Sequence, residues 1–403
     1  MTALRELIKD PTPAELELIA RYGALPEDAR RQRAFDAFIE SGLPHRRLEA
    51  WKWTDIRGGL AALDAPENGP ADDPFEGLAG PVFRFEDGRL KLPRKTLAGV
   101  RAFERAEAQA LSGAEDMPLG ALTAALAATP NALVLEITET VDEPVRFVFS
   151  GASDAAFARI MVVVRKGASV DIIESHLGGA GFSSTLIEFG LEDGANLSRT
   201  FYQSGGADEV QAVTATGFLG AGANYAQTGL TFGAKLARLE TRLTHKGAQA
   251  TATLNGAYLL AEGRHADFTS YVRHGAEAGV TRQTTKGAVK AGGRGVFQGK
   301  FHVPRQGQKT DAEMEHHALL LEPGAEVDAK PELEIYADDV ACAHGNTAGA
   351  LDADALFYMR QRGVPDADAR ALLTEAFIAE ALEDAGDAEG VLLSAARDWL
   401  GGY

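Results

Sequence analysis

From about residue 131 the apolar positions of this chain alternate with polar ones at a period of two. Before residue 60 and after residue 351 they recur every three or four residues instead. The alternation predicts strands, and the longer period predicts helices. Ile187, Phe189 and Leu191 oppose Glu188, Gly190 and Glu192. Phe297, Phe301 and Val303 oppose Gln298, Lys300 and His302, and Leu333, Ile335 and Ala337 repeat the pattern. Ile160 to Val164 is continuously apolar, as expected of a strand covered on both faces. Near the amino terminus, Phe35, Phe38 and Ile39 fall at helical spacing between Asp28 and Glu40. Residues 60 to 125 are mixed, with a short strand at 82–85 and a helix expected near 118–128. After residue 351, Asp352 can cap a helix that carries Leu356, Phe357, Met359 and Arg360 and stops at Gly363. Pro365-Asp366 opens a second, with Leu373/Phe377 and Ile378/Leu382 four residues apart. Gly386-Asp387 breaks it, and a last helix carries Val391, Leu392, Ala395 and Trp399.

Between the strands a Gly-Ala turn recurs, with its glycines at 167, 194, 222, 247, 287 and 324. The first three intervals run from 25 to 28 residues and the last two lengthen to 40 and 37. A turn at that spacing without long intervening helices fits the coils of a β-solenoid, and an antiparallel sandwich is the alternative. Helices appended to such a solenoid either cover its terminal coil or serve as a docking platform. The chain is thus read as a mainly helical region at 1–125, a β core at 126–348 and a helical region at 349–403.

Composition narrows the function. The 40 basic and 58 acidic residues give a net charge of −18, which repels phosphate backbones and argues against nucleic-acid binding. The one cysteine in 403 residues rules out an intrachain disulfide framework and fits a reducing cytoplasm. The charged start Met-Thr-Ala-Leu-Arg-Glu-Leu-Ile-Lys-Asp is not a secretory signal, and no run approaches the roughly 18 apolar residues of a membrane span. A cytoplasmic location is expected.

The chemistry concentrates near the end of the strand zone. Cys342 and His344 lie two apart after a strand-like run, so on a continuing strand the thiol and imidazole point the same way. Sulfur beside imidazole makes half a site for a transition metal or iron–sulfur species. With no second cysteine, other ligands would come from another subunit. Asp338-Asp339 should raise the thiol pKa, which argues against a nucleophile. A buried, inert cysteine is the bland alternative. His265 and Asp267 share a face, as a structural hydrogen bond or as a pair able to bind a metal or relay a proton, and His274 follows them. The adjacent His316 and His317 would face opposite ways and cannot share a metal. His45, His176, His245 and His302 are read as structural. No phosphate loop, nucleophile elbow or His-Glu-x-x-His motif is present. A self-sufficient enzyme is therefore not indicated.

The run from Lys330 to Gly349, followed by Leu356-Phe-Tyr-Met-Arg-Gln-Arg-Gly363, resembles the SufB/SufD scaffold family of the SUF iron–sulfur cluster assembly system, and its SufD branch in particular. Leu254-Asn-Gly-Ala-Tyr258, His265-x-Asp267, Phe297-x-Gly-Lys300, Gln308 to Ala312 and Glu49 to Asp55 extend the resemblance. It implies a right-handed parallel β-helix core, in agreement with the recurring turn, between helical ends. It implies a heterodimer with SufB, with a homodimer possible in isolation. It also implies docking of the ABC-type ATPase SufC on the carboxy-terminal helices, where Phe357, Leu373 and Phe377 are the candidate contacts. A transient iron–sulfur cluster would form at the SufB–SufD interface with His344 as an imidazole ligand and Cys342 as a second ligand or interface group. No flavin is assigned. Ala343 and Asn346 depart from the family's commoner residues. The resemblance makes the chain a non-catalytic subunit. The competing reading is a polysaccharide lyase-like β-helix enzyme, with Lys286, Lys300, Arg305, Lys309, Asp338 and Asp339 lining one groove. A stand-alone metal store or sensor is a third.

Overall fold

A computed structural model describes residues 8–104, 117–127 and 132–401. A parallel β-solenoid of about eight turns forms its centre, with helices at both termini. Each coil gives one strand to each of two sheets. The first sheet stacks β4 (Ala132–Ile137), β6 (Ala155–Val164), β8 (Phe182–Leu191), β10 (Val210–Leu219), β12 (Leu236–His245), β14 (His265–His274), β16 (Arg294–Val303) and β18 (Glu326–Ile335), all parallel. The second stacks β5 (Val145–Ser150), β7 (Ser169–His176), β9 (Asn196–Gln203), β11 (Asn224–Thr231), β13 (Thr251–Leu260), β15 (Val280–Val289), β17 (Asp311–Leu320) and β19 (Ala341–Gly349). At the amino-terminal end, β3 (Val100–Glu104) pairs antiparallel with β4. The hairpin of β1 (Val82–Glu86) and β2 (Arg89–Lys91) extends the second sheet through β1 and β5.

The period of two turns every second side chain inward, and register stacks these into columns. Val162, Phe189, Gly217, Leu243, Val272, Phe301 and Leu333 form one column along the first sheet. Val170, Leu197, Tyr225, Ala252, Thr281, Ala312 and Cys342 form another along the second. Phe189, Leu243, Val272 and Phe301 are all buried in the lumen core. A fully buried aliphatic or aromatic side chain contributes about 1.5–3 kcal/mol, so repetition of these columns supplies most of the driving force.

The recurring turn is present but is not always carried by glycine. Gly167, Gly194 and Gly222 occupy one corner with positive φ; Gln249, Ala278 and Lys309 occupy the same corner in later coils. Each of these N–H groups bonds to the next coil's corner, as in Gly194 N to Ala221 O at 2.8 Å and Ala278 N to Gln308 O at 2.8 Å. Gly324 turns the opposite corner, which accounts in part for the irregular intervals. Gly287 is not a turn residue at all. It lies within β15, paired in register with Tyr258, and a Cβ there would stand 2.0 Å from the Tyr258 ring.

The terminal helices pack on opposite flanks. α1 (Pro13–Gly23), α2 (Ala29–Ser41) and α4 (Pro118–Leu126) cover the outer face of the first sheet, with Phe35, Leu122 and Ala125 against a cluster that includes Phe157, Phe182 and Val210. The four-residue α3 (Ile56–Gly59) lies between them in sequence. After α5 (Ala353–Gln361), α6 (Asp366–Ala379) and α7 (Glu389–Leu400) bring Ile378, Leu382 and Leu392 into one cluster with Leu230, Leu259 and Ala288 of the second sheet. They lie along the flank. The terminal coil of β18 and β19 is therefore not covered by them, and among the described residues no strand pairs beyond either edge.

The lumen also buries histidines. The His245 and His274 rings lie with centroids 4.6 Å apart, tilted by 36°, and share the Thr281 hydroxyl. Burial pushes them down to about 4 and about 3, and pushes His316 in the lumen and His265 on the outer face beneath Thr54 down to about 4. These folded-state values lie below the unfolded value near 6.5, so the unfolded chain takes up protons first. Stability is then complete above about pH 6.5 and falls as the pH drops toward 4, by roughly 1–2 kcal/mol per histidine at pH 5. Urea denaturation at pH 7.5, 6 and 5 checks this; a midpoint unchanged from pH 7.5 to 5 would contradict neutral burial. Gly287→Ala should destabilise by about 1–3 kcal/mol through overpacking against Tyr258, read as a lower thermal midpoint that a Tyr258→Val second change partly restores.

Candidate functional site

Among the described residues the last strand, β19, pairs with β17 alone and forms the edge of the second sheet. Its alternation aims Cys342, His344 and Asn346 toward the lumen side of the open coil. In register they stand over Ala312, Met314 and His316. Cys342 packs against the lumen core and is half-buried, whereas His344 and Asn346 are exposed. The expected dyad thus exists as one sulfur and one imidazole on the same face of an uncapped edge strand. Among the described residues no group of three or more His, Cys, Asp or Glu is arranged to hold a metal.

The thiol pKa is raised, as expected, but for another reason. Burial is the largest cause and the Asp311 carboxylate adds to it, while the backbone of Ala312 opposes them. Asp338 and Asp339 contribute nothing comparable: Asp339 sits in the preceding turn, where its carbonyl accepts from Lys309 N.

Asn346, noted in the sequence only as a departure from the family's commoner residues, has a role that the sequence did not assign. His316 Nδ1 lies 2.6 Å from its side-chain oxygen, and His316 Nε2 lies 2.8 Å from the Tyr258 hydroxyl. The same alternation that coupled Cys342 to His344 would have found it one step further on. His317 faces away, 2.8 Å from Thr347 Oγ1, so the two adjacent histidines do diverge.

His265 and Asp267 form a satisfied structural pair. The Thr54 hydroxyl lies 3.0 Å from His265 Nε2 and donates to Asp267 at 2.6 Å, while Arg238 reaches the same carboxylate at 2.7 Å. Trp51 lies over the Arg238 guanidinium at 3.8 Å, so the Glu49–Asp55 segment straps the amino-terminal region to the solenoid.

The three expected docking residues separate. Phe357 projects from α5 with 62% of its surface exposed, beside Tyr358, and α5 buries none of its residues. Leu373 is partly exposed on α6. Phe377 is half-buried against the flank, with Lys286 Nζ 4.5 Å above its ring. The residues expected to line a single anionic-sugar groove are likewise dispersed. Lys286 pairs with Glu380 beneath α6, Lys300 with Glu334 on the first sheet, and Lys309 with Glu277 at a corner. That groove does not exist.

Comparison with known proteins agrees with the fold and the motifs. An iron–sulfur cluster assembly SufBD family protein of Synechocystis sp. is 28% identical over 404 residues, covering 88% of this chain and 86% of that protein. The iron–sulfur cluster assembly protein SufD of Escherichia coli is 36% identical over 173 residues, covering 42% of this chain and 41% of its own. SufD of Bacillus subtilis is 24% identical over 288 residues, or 67% and 63% of the two chains. The family model for the SUF system FeS cluster assembly SufBD core domain matches residues 147–377, most of the solenoid and the first carboxy-terminal helices, and the chain therefore belongs to the SufBD family of SUF-system iron–sulfur cluster assembly proteins.

Proposed function

We propose that this chain is a non-catalytic scaffold subunit that pairs with SufB across its open coil and carries the SufC ATPase on its helical flank. The observation that supports pairing most is the uncapped coil. Among the described residues β18 and β19 each leave one row of backbone N–H and C=O groups without a strand partner, beside Ile335 (38% exposed) and Tyr336 (55% exposed). Exposed strand edges of this kind template another chain unless covered. A SufB edge laid there would continue both sheets and bring further ligands to Cys342 and His344.

In this reading His344 offers an imidazole lone pair. Cys342 must lose its proton to bind, and since burial holds its pKa high, metal arrival would displace that proton. The cluster is cargo, built at the seam and passed on. Phe357 and Tyr358 supply an apolar anchor for SufC because α5 touches the body mainly through α6. No helix among the described residues is long and apolar enough to cross a membrane, and we place the assembly in the cytoplasm.

His344→Ala in a strain dependent on this pathway should reduce cluster production at least tenfold while the complex still forms; undiminished production would rule out the ligand role. For docking, deletion of 366–403 is a poor test because it uncovers Leu230, Leu259 and Ala288. Phe357→Asp is cleaner. It should weaken co-purification of the ATPase about tenfold, the loss of one hot spot, and retained binding would reject the site.

A further inference from the structure

Of the four inward positions of β19, three carry polar or sulfur side chains, Cys342, His344 and Asn346, and the fourth is Ala348. The third, Asn346, is the one held from below. Its side-chain oxygen can only accept, so the 2.6 Å contact requires the hydrogen on His316 Nδ1. His316 Nε2 then accepts from the Tyr258 hydroxyl at 2.8 Å. His316 and Tyr258 are both fully buried, and the His316 ring stacks on Phe297 with centroids 4.7 Å apart and planes within 7°. The tautomer, the ring and the amide plane are thereby fixed together. The amide NH2 group has no acceptor among the described residues, and Asn346 is exposed at the open end, on the same face as Cys342 and His344. A carboxamide normally floats. This one is anchored by a buried relay that commits its oxygen inward and leaves its two N–H donors toward the seam.

We propose that Asn346 is a further site residue, a fixed N–H donor to an anionic sulfur, either sulfide or thiolate, of the cluster held by His344 and Cys342, with His316 and Tyr258 as positioning residues. The inference rests on the scaffold reading above. Its chemistry is that of a preorganised hydrogen bond to a metal-bound sulfur, which tunes reduction potential and stabilises the centre. The bond strengthens as sulfur gains electron density, so it favours the reduced state and raises the potential.

The test uses the full chain co-purified with its partner subunits and reconstituted anaerobically with ferrous iron and sulfide. Asn346→Ala and Asn346→Asp should still acquire a cluster, but with a lower midpoint potential and loss to a chelator about threefold faster or more. The thermal midpoint of Asn346→Asp should be unchanged, since a carboxylate oxygen still accepts from His316 Nδ1, whereas Asn346→Ala leaves that buried N–H without its acceptor and should lower the midpoint modestly. His316→Phe, which keeps the stacking on Phe297, should reproduce both shifts, and His316→Gln, which can still donate to Asn346, should restore them in part. A merely structural role would lower the thermal midpoint and leave the potential unmoved, which would overturn the proposal. Unaltered potential and release in Asn346→Ala, with cluster lost in His344→Ala, would overturn it and leave the scaffold reading standing. A normal cluster in His344→Ala would overturn both.

Discussion

Backbone hydrogen bonding between successive coils, in register and parallel, is the constraint from which the rest of the molecule follows. Once Ala155 is set opposite Phe182, every inward residue is placed over an inward residue of the coil below. A bulky side chain in one coil then dictates space in the next. The Phe201 ring lies over Gly229, and the Tyr258 ring over Gly287, where a Cβ would stand 2.0 Å away in each case. The same rule leaves the last coil with a floor and no ceiling. Ala312, Met314 and His316 support Cys342, His344 and Asn346 from below, and among the described residues nothing repeats above them.

The charged groups of this lumen enter as a satisfied set, whereas His245 and His274 each keep a buried Nδ1 without a partner. Burial alone would raise the Glu174 carboxyl, yet Arg199 and the hydrogen bonds from His176 and Arg199 outweigh it and hold it at about 2. Arg199 donates to both oxygens at 2.7 Å and to Gln227 in the next coil at 2.7 Å. Such a pair gains little net stability over apolar packing, but losing one partner strands a charge and costs about 3–5 kcal/mol. It therefore penalises slipped registers more than it deepens the native one. Arg238 plays the corresponding part on the outside, where the carbonyl of Ala50, the Asp267 carboxylate and the Trp51 ring fix the strap against two coils.

The strand zone was legible because a period of two has one physical meaning, and the alternating sets at 187–191 and 297–303 face the lumen as read. The coil length was only partly legible. The corner needs a left-handed residue, and Gln249, Ala278 and Lys309 accept that conformation at a cost of about 1–2 kcal/mol each, so counting glycines loses the repeat after Gly222. Gly287 misled for the converse reason, since its glycine serves Tyr258 and not a turn. The flank position of α6 and α7 was illegible because a leucine stripe says that a face is buried, not against what. Cys342 and His344 stood out as unusual residue types two apart. Asn346 did not, because an asparagine becomes informative only when the residue beneath it is known.

The geometry of that row bears on what it can hold. Neighbouring inward positions of a strand are about 6.6 Å apart along the chain, while metal–nitrogen and metal–sulfur bonds are about 2.0–2.3 Å. A single ion would require Cys342 and His344 to lean together, and Cys342 is the less able to do so because it packs on the lumen core. A polynuclear centre relaxes this demand, since each donor can meet a different metal ion. It also increases the number of ligands required, which one edge strand with one cysteine cannot supply. On the proposed reading, the same register that exposes the row therefore selects both a cluster over a lone ion and a seam over a pocket.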